Sequence, residues 1–302
     1  MNARTHTGLG RLSLATACLA ALALSACGSD TLSGEPAGNG APSVSVSQDA
    51  DLSAKLPESI RTAGVIRVGT DASYAPSEFL SGDGKTVQGF DVDVFNAVAA
   101  KFGVTAEFQP ADFATIITGV QGKKYDIGIS SFTINEERKK QVTMVSYFSA
   151  GTQWATAAGN PKGLAVDNAC GKTVAVQSDT VQDTEDLPVR QKKCGGTPIK
   201  ILKFDKQDQA TAAVVNGRAD AMLADSPVVA YAVKQSAGKL ATLGEIYEAA
   251  PYGYVVPKSE TEFADALAEA LKAVQADGSY QAALQKWGVE QGAITDFAVN
   301  PS

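Results

Sequence analysis

From about residue 56 onward, apolar positions follow two alternating rhythms. Short runs at 65–69, 104–108, 125–129, 172–177, 199–204 and 219–224 have the length and the branched or aromatic content of strands. Between them apolar residues recur at three- and four-residue spacing. Val94, Phe95, Val98 and Phe102 form one stripe of a helix over 90–102, which Gly103 ends. Ile116, Ile117 and Val120 mark a second helix with Asp112 as its cap, and further helices are expected over 180–192 and 206–215. A strand at 253–256 and a helix over 260–276 follow, the helix carrying the stripe Phe263, Leu267, Leu271 and Val274. A short helix over 279–287 comes last. Strand and helix in alternation predict an α/β fold with a mostly parallel sheet.

Part of this pattern occurs twice. T-G-V-Q-G-K-K-Y-D-I-G-I-S-S from Thr118 and A-V-V-N-G-R-A-D-A-M-L-A-D-S from Ala213 each run from a helix end through a Gly and a basic turn. An Asp and a strand leading into Ser follow in both. The echo predicts two similar α/β lobes. If the C-terminal elements complete the first lobe, lobe 1 is 56–150 with 252–302 and lobe 2 is 151–251. The chain then crosses between lobes twice, with hinges near 149–155 and 249–254.

The first residues read as an address. Arg4 and Arg11 precede a run of apolar and small residues over 12–26, too short to span a bilayer and of the length of a signal-peptide core. Residues 1–26 are therefore expected to be cleaved. The run ends in L-S-A-C-G, which resembles the lipobox of bacterial lipoproteins. That resemblance implies a lipid on the Cys27 thiol and Cys27 as the new N-terminus. The plainer alternative is ordinary secretion with no lipid. Residues 27–55, rich in Gly, Ser, Ala, Pro and Asn as far as 50, read as a flexible tether, because such a stretch buries too little apolar surface to fold.

Composition narrows the chemistry. Lys plus Arg is 26 and Asp plus Glu is 33, a net charge of -7, which argues against a nucleic-acid partner, since that needs a basic surface. The one histidine, His6, leaves with the signal, so Ser-His-Asp triads, Cys-His pairs and His-rich zinc sites are excluded. No metal, cofactor or catalytic residue is expected. In an exported chain Cys170 and Cys194 read as a disulfide, with two separate buried thiols as the alternative.

Four stretches carry a family resemblance. They are G-F-D-V-D-V-F-N-A-V-A at Gly89, D-F-A-T-I-I-T-G-V-Q-G-K-K-Y-D-I at Asp112, F-T-I-N-E-E-R-K-K at Phe132 and G-R-A-D-A-M-L-A-D-S-P at Gly217. In that order and spacing, over about residues 60–290, the chain resembles the family 3 extracellular solute-binding proteins, the polar amino-acid receptors of bacterial ABC importers. The resemblance implies a two-lobed periplasmic-binding-protein-like (type II) fold with two hinge crossovers, closing on a free amino acid. It implies a membrane permease as partner, a monomer, and a place on the extracellular face of the cell membrane. The same fold hosts dehydratases and sensory binding lobes, so an enzyme of the cyclohexadienyl dehydratase kind and a signalling receptor stand as the rival readings.

A free amino acid presents a carboxylate, an ammonium and a side chain. A guanidinium suits the carboxylate, because its planar fork makes two parallel hydrogen bonds. The resemblance assigns this role to Arg138, with Ser131 and Thr133 donating beside it. Taken alone, Arg138 reads as a solvated helix-face charge next to Lys139 and Lys140. The ammonium needs an acid, and the resemblance places Asp225 there, at the C-terminal end of a strand where α/β sheets face their crevice. Asp225 could equally cap the following helix. The resemblance puts Tyr74 and Phe113 against the ligand's stem, Asp71 at its polar tip, and Thr180 and Gln182 against it from lobe 2. Ordinary packing is the alternative for the two aromatics. Asp179 stands where the family usually has Gly, a position asking for left-handed backbone, which Asp tolerates better than most residues.

Overall fold

A computed structural model describes residues 46–302. The expected signal peptide, the lipid-bearing Cys27 and the tether as far as residue 45 lie outside the described residues. The folded part begins earlier than expected. Helix α1 (Ala50–Ala54) is capped by the Asp49 carboxylate and buries Leu52, so residues 50–54 are not tether. Helix α2 (Glu58–Ala63) then leads through left-handed Gly64 into strand β1 (Val65–Thr70).

A small antiparallel sheet of β2 (Ser73–Tyr74), β3 (Glu78–Leu80) and β4 (Val87–Gln88) follows, a feature absent from the sequence reading. Helix α3 (Phe90–Phe102) has the expected bounds. Gly89 precedes it at φ 141°, where a Cβ would lie 2.0 Å from the Ser77 carbonyl, so only glycine lets the chain enter this helix. Strand β5 (Thr105–Pro110), helix α4 (Phe113–Gln121), strand β6 (Ile127–Gly128) and helix α5 (Glu136–Gln141) come next. Asp112 does not cap α4 with its side chain, contrary to expectation. The Phe113 amide donates instead to Asp71 Oδ2 at 3.1 Å, and Asp112 pairs with Lys206.

The chain then runs through β7 (Thr143–Ala157), β8 (Thr173–Gln177), a π-helical turn (Gln182–Asp186), α6 (Leu187–Lys192) and β9 (Lys200–Phe204). The expected single helix over 180–192 is thus two pieces, because Pro188 has no N–H to give the preceding turn. Helix α7 (Gln207–Val215), strand β10 (Ala221–Asp225), helix α8 (Ser226–Gln235), strand β11 (Leu240–Val256) and helices α9 (Thr261–Ala276) and α10 (Ser279–Trp287) complete it.

The large sheet has the order β5-β1-β6-β11-β7-β10-β8-β9. Pairing is parallel in β5-β1-β6 and in β10-β8-β9, as the alternation of strand and helix predicts. Between these groups β7 and β11 pair antiparallel over nearly their whole lengths. The sequence reading had only the last four residues of β11 and took 149–155 for a bare hinge. Both strands are in fact continuous across it. The ribbon's register slips between Leu243 and Tyr247, between Tyr247 and Ala250, and between Tyr252 and Gly253, next to the second expected hinge.

The buried side chains divide along this ribbon. Two clusters draw on residues 52–148 and 252–297. Two others draw on residues 154–240, with Tyr74 reaching into one of them. The fold is the two-lobed α/β type with two strand crossovers. Cys170 and Cys194 form a disulfide with a Cα separation of 5.2 Å, joining the segment before β8 to the end of α6.

Candidate functional site

The strand ends of the two halves meet in one closed cleft. Tyr74, Phe113, Ser131, Thr133, Arg138, Thr180, Gln182 and Asp225 line a single cavity there, with Ser130 and Val181. The space between them is narrow, most of it crevice too tight for water. Eight of the nine residues expected at the site therefore converge. Larger hollows exist elsewhere, such as the groove between α7 and α8, but they do not hold these groups.

Arg138 enters from the first turn of α5. Asn135 caps that helix by accepting from the Arg138 amide at 2.9 Å. Its side chain is not a solvated helix-face charge, since Arg138 is only 8 % exposed. Nη1 donates to the Thr133 carbonyl at 2.8 Å and Nη2 to the Asp179 carbonyl at 3.1 Å. The guanidinium carbon sits 5.4 Å from the ring centres of both Phe113 and Phe132, which stack at 4.6 Å. Burial lowers the guanidinium pKa to about 10, opposed by the Asp225 charge, so it remains cationic at neutral pH. A guanidinium has five donor hydrogens. With two used on carbonyls, a fork is left for an incoming anion.

Asp225 faces it from the end of β10. Its side chain makes no capping bond to α8. Instead Oδ1 accepts from Gln182 Nε2 at 2.7 Å and Oδ2 accepts from the Tyr252 hydroxyl at 2.7 Å. Burial raises the carboxyl pKa, and the donors Tyr252, Gln182 and Tyr74 together with the Arg138 charge pull it back. The Asp225 amide donates to the Tyr74 hydroxyl at 3.3 Å. Gln182 is itself held by the Thr152 hydroxyl, to which its Nε2 donates at 2.9 Å. Thr180 sits in the tight turn after β8, donating from Oγ1 to the Gln177 carbonyl at 2.8 Å. Before it, Asp179 takes a left-handed φ of 62°, as its place in the turn predicts.

Asp71 is the residue not brought to the cavity. It is buried and saturated: Oδ1 accepts from the Ser73 amide and hydroxyl, and Oδ2 from Phe113 N, Gln177 Nε2 and Lys206 Nζ. Two of these donors, Gln177 and Lys206, come from the second half of the chain. Lys206 also donates to the Ala111 carbonyl at 3.1 Å and pairs with Asp112 at 3.0 Å. Asn135 donates to Glu185 at 2.6 Å, and the Gln207 amide donates to the Ser73 hydroxyl at 3.1 Å. These bonds, with Arg138 on Asp179, stitch the cleft shut around the cavity.

Tyr252, Gln177 and Ser130 were missed from sequence. Tyr252 lies in the part of β11 that the pattern did not reveal. Gln177 and Ser130 are strand-end residues like those that were named, and only their position marked them.

The sequence signature of the bacterial extracellular solute-binding proteins, family 3, matches residues 66–290. The arginine-binding protein ArgT of Corynebacterium glutamicum is 37 % identical over 253 residues, covering 83 % of each chain. Among solved structures, an ancestral arginine-binding protein bound to arginine superposes with a TM-score of 0.69 at 35 % identity. It covers 74 % of this chain, and 98 % of its own length is matched. An ancestral amino acid-binding protein, AncCDT-1, described as a precursor of cyclohexadienyl dehydratase, gives a TM-score of 0.69 at 33 % identity, covering 76 % and 98 %. Among the described residues no helix is long and apolar enough to cross a membrane. The chain belongs to the bacterial extracellular solute-binding proteins, family 3.

Proposed function

We propose that this chain is the receptor of an ABC importer, held by a lipid on Cys27 at the extracellular face of the membrane, and that it captures a free polar amino acid. Lobe 1 (56–150 with 252–302) and lobe 2 (151–251) close on the ligand by bending the β7–β11 ribbon. The observation that carries the reading is one cavity lined by a buried cation from one half, Arg138, and a buried carboxylate from the other, Asp225. That pair matches the two charged ends of a zwitterion. Arg138 takes the carboxylate with Ser131 and Thr133, and Asp225 takes the ammonium with Thr180 and Gln182. Tyr74 and Phe113 flank the stem. Asp71 lies just behind, its Oδ2 on the Phe113 amide, and reaches a ligand tip only if Lys206 and Gln177 release it.

Entry requires the jaws to part, which breaks the bonds from Lys206, Gln177, Asn135 and Gln207 across the mouth. Closure afterwards excludes water and strengthens both ion pairs. The closed shape is what a membrane permease reads. Arginine is the first ligand to test, since two of the relatives named above, ArgT and the ancestral arginine-binding protein, are arginine binders by name, and other polar amino acids follow. A binder is favoured over a dehydratase because both oxygens of Asp225 already hold donors, which suits a charged anchor better than a mobile acid.

A thermal-shift screen over the twenty amino acids tests this. A ligand at about a hundred times its Kd stabilises by roughly 2.7 kcal/mol, or about 5–10 °C for a chain of this size. If no amino acid raises the melting temperature, the receptor reading fails. Product formation from an amino acid or a cyclic dienyl acid would support the enzyme instead. Mass spectrometry of the mature N-terminus checks the lipid.

A further inference from the structure

Beneath the cavity lie two carboxyl groups that ligand capture does not use. Glu78, in β3, and Asp91, in the first turn of α3, are fully buried. Among the described residues no lysine or arginine pairs with either. One oxygen of each is occupied. Glu78 Oε1 accepts from the Ser130 hydroxyl at 3.0 Å. Asp91 Oδ2 accepts from the Tyr147 hydroxyl at 2.6 Å, from the Ser131 amide at 3.1 Å and from the Ser131 hydroxyl at 3.3 Å. The other two, Glu78 Oε2 and Asp91 Oδ1, meet no donor among the described residues.

The two carboxyl groups are neighbours: the Asp91 amide donates to the carbonyl of Ser77, the residue before Glu78, at 3.0 Å, and the adjacent Ser130 and Ser131 each bond one of the two carboxyl groups. Two buried carboxylates face to face with no cation would repel strongly. One proton between them removes the repulsion and gives both orphan oxygens a partner. The titratable groups that face the pair are Asp71, Tyr74, Tyr147 from β7, Tyr254 from β11 and Tyr280 from α10, and none of them brings positive charge. Burial pushes Glu78 well above the usual carboxylate range and raises Asp91 as well.

We infer that Glu78 and Asp91 share one proton and together position the Ser130–Ser131 turn that floors the cavity. Ser131 holds a left-handed φ of 49°, a strained state for a residue with a side chain, and it is Asp91 that fixes both its amide and its hydroxyl. Ser130 donates to Glu78 and accepts from the Asp71 amide at 3.0 Å, tying the loop after β1 to the same pair. The effect on ligand binding rests on the receptor reading above. The shared proton rests on the geometry alone.

The test uses the full chain and the variants Glu78→Gln and Glu78→Ala. In the infrared spectrum at neutral pH the wild type carries a neutral carboxylic-acid carbonyl band that Glu78→Gln lacks, because the amide donor leaves Asp91 ionised. Identical spectra overturn the shared proton. Titration with L-arginine reads the positioning. Glu78→Gln keeps the affinity within about threefold, since the amide satisfies the same partners. Glu78→Ala strands Ser130 and Asp91 and weakens binding by about tenfold or more. Wild-type affinity in a folded Glu78→Ala variant overturns the positioning role.

Should Glu78→Ala fail to fold, the pH dependence of unfolding decides. Above about pH 4.3 an unfolded Glu has lost its proton while the folded pair keeps it. The wild type's folding constant therefore falls relative to that of Glu78→Gln as pH rises, by up to about tenfold per pH unit. Parallel curves overturn the pair. If L-arginine binds neither protein while the infrared band is present, the arginine assignment is overturned and the proton pair is supported.

Discussion

Replacing Arg138 with Ala should weaken amino-acid binding by about thirty-fold to several thousand-fold. Arg138 is almost wholly buried, and two of its hydrogens already serve the Thr133 and Asp179 carbonyls. Those carbonyls belong to opposite jaws, so the side chain helps hold the cleft closed as well as serving the proposed ligand contact. Truncation leaves a buried ligand carboxylate without its partner, at a cost of roughly 2–5 kcal/mol. One decade of affinity corresponds to about 1.4 kcal/mol. Isothermal titration with L-arginine, or with whichever amino acid the thermal screen selects, measures the loss. Arg138→Lys separates charge from shape. It keeps a cation beside the stacked rings of Phe113 and Phe132 but loses the fork, so it should fall between wild type and Ala. Affinity within about threefold of wild type in Arg138→Ala, with the fold intact by circular dichroism, would refute the carboxylate assignment.

Two further outcomes follow from the same geometry. Burial raises the Asp225 carboxyl above its usual value, and gripping an ammonium requires the carboxylate. Affinity should therefore decline as pH falls through that raised pKa, by up to about tenfold per unit. Asp225→Asn should bind at least tenfold more weakly and lose that slope, and an Asn variant with the wild-type slope would exclude Asp225 as its source. Separately, Cys170 and Cys194 close a loop with a sequence separation of 24, worth about 3 kcal/mol in the chain-entropy model. Cys170→Ser with Cys194→Ser should lower the melting temperature by roughly 6–12 °C, with little change in ligand affinity, since neither cysteine lines the cavity.

The sites that sequence identified are those where one residue type answers one chemical need. The family resemblance singled out an arginine just inside a helix capped by Asn135 and an acid at the end of a strand, which taken alone read as a solvated charge and a helix cap, and the two meet in the cavity. Asp71 was not placed correctly from sequence. A carboxylate at a strand end looks alike whether it faces a ligand or answers Phe113 N, Gln177 and Lys206, and which it does depends on groups about forty to 135 positions away. The π turn at Gln182–Asp186 and the small β2–β3–β4 sheet were likewise invisible, because each is too short for periodicity to register.

Most of the residues around the cavity came from the family resemblance; on its own the sequence determined the alternation of strands and helices and the doubled lobe. Those features arise from local spacing and from residue chemistry, which are written consecutively along the chain. Tertiary structure decided the full length of β7 and β11, because each passes from one core to the other, β7 buried or half-buried throughout and β11 through an exposed middle, and so neither shows a single repeating pattern. It also decided that Tyr252 reaches Asp225. Pairings of that kind exist only once both strands of the central ribbon have folded back to bring distant residues within hydrogen-bond reach.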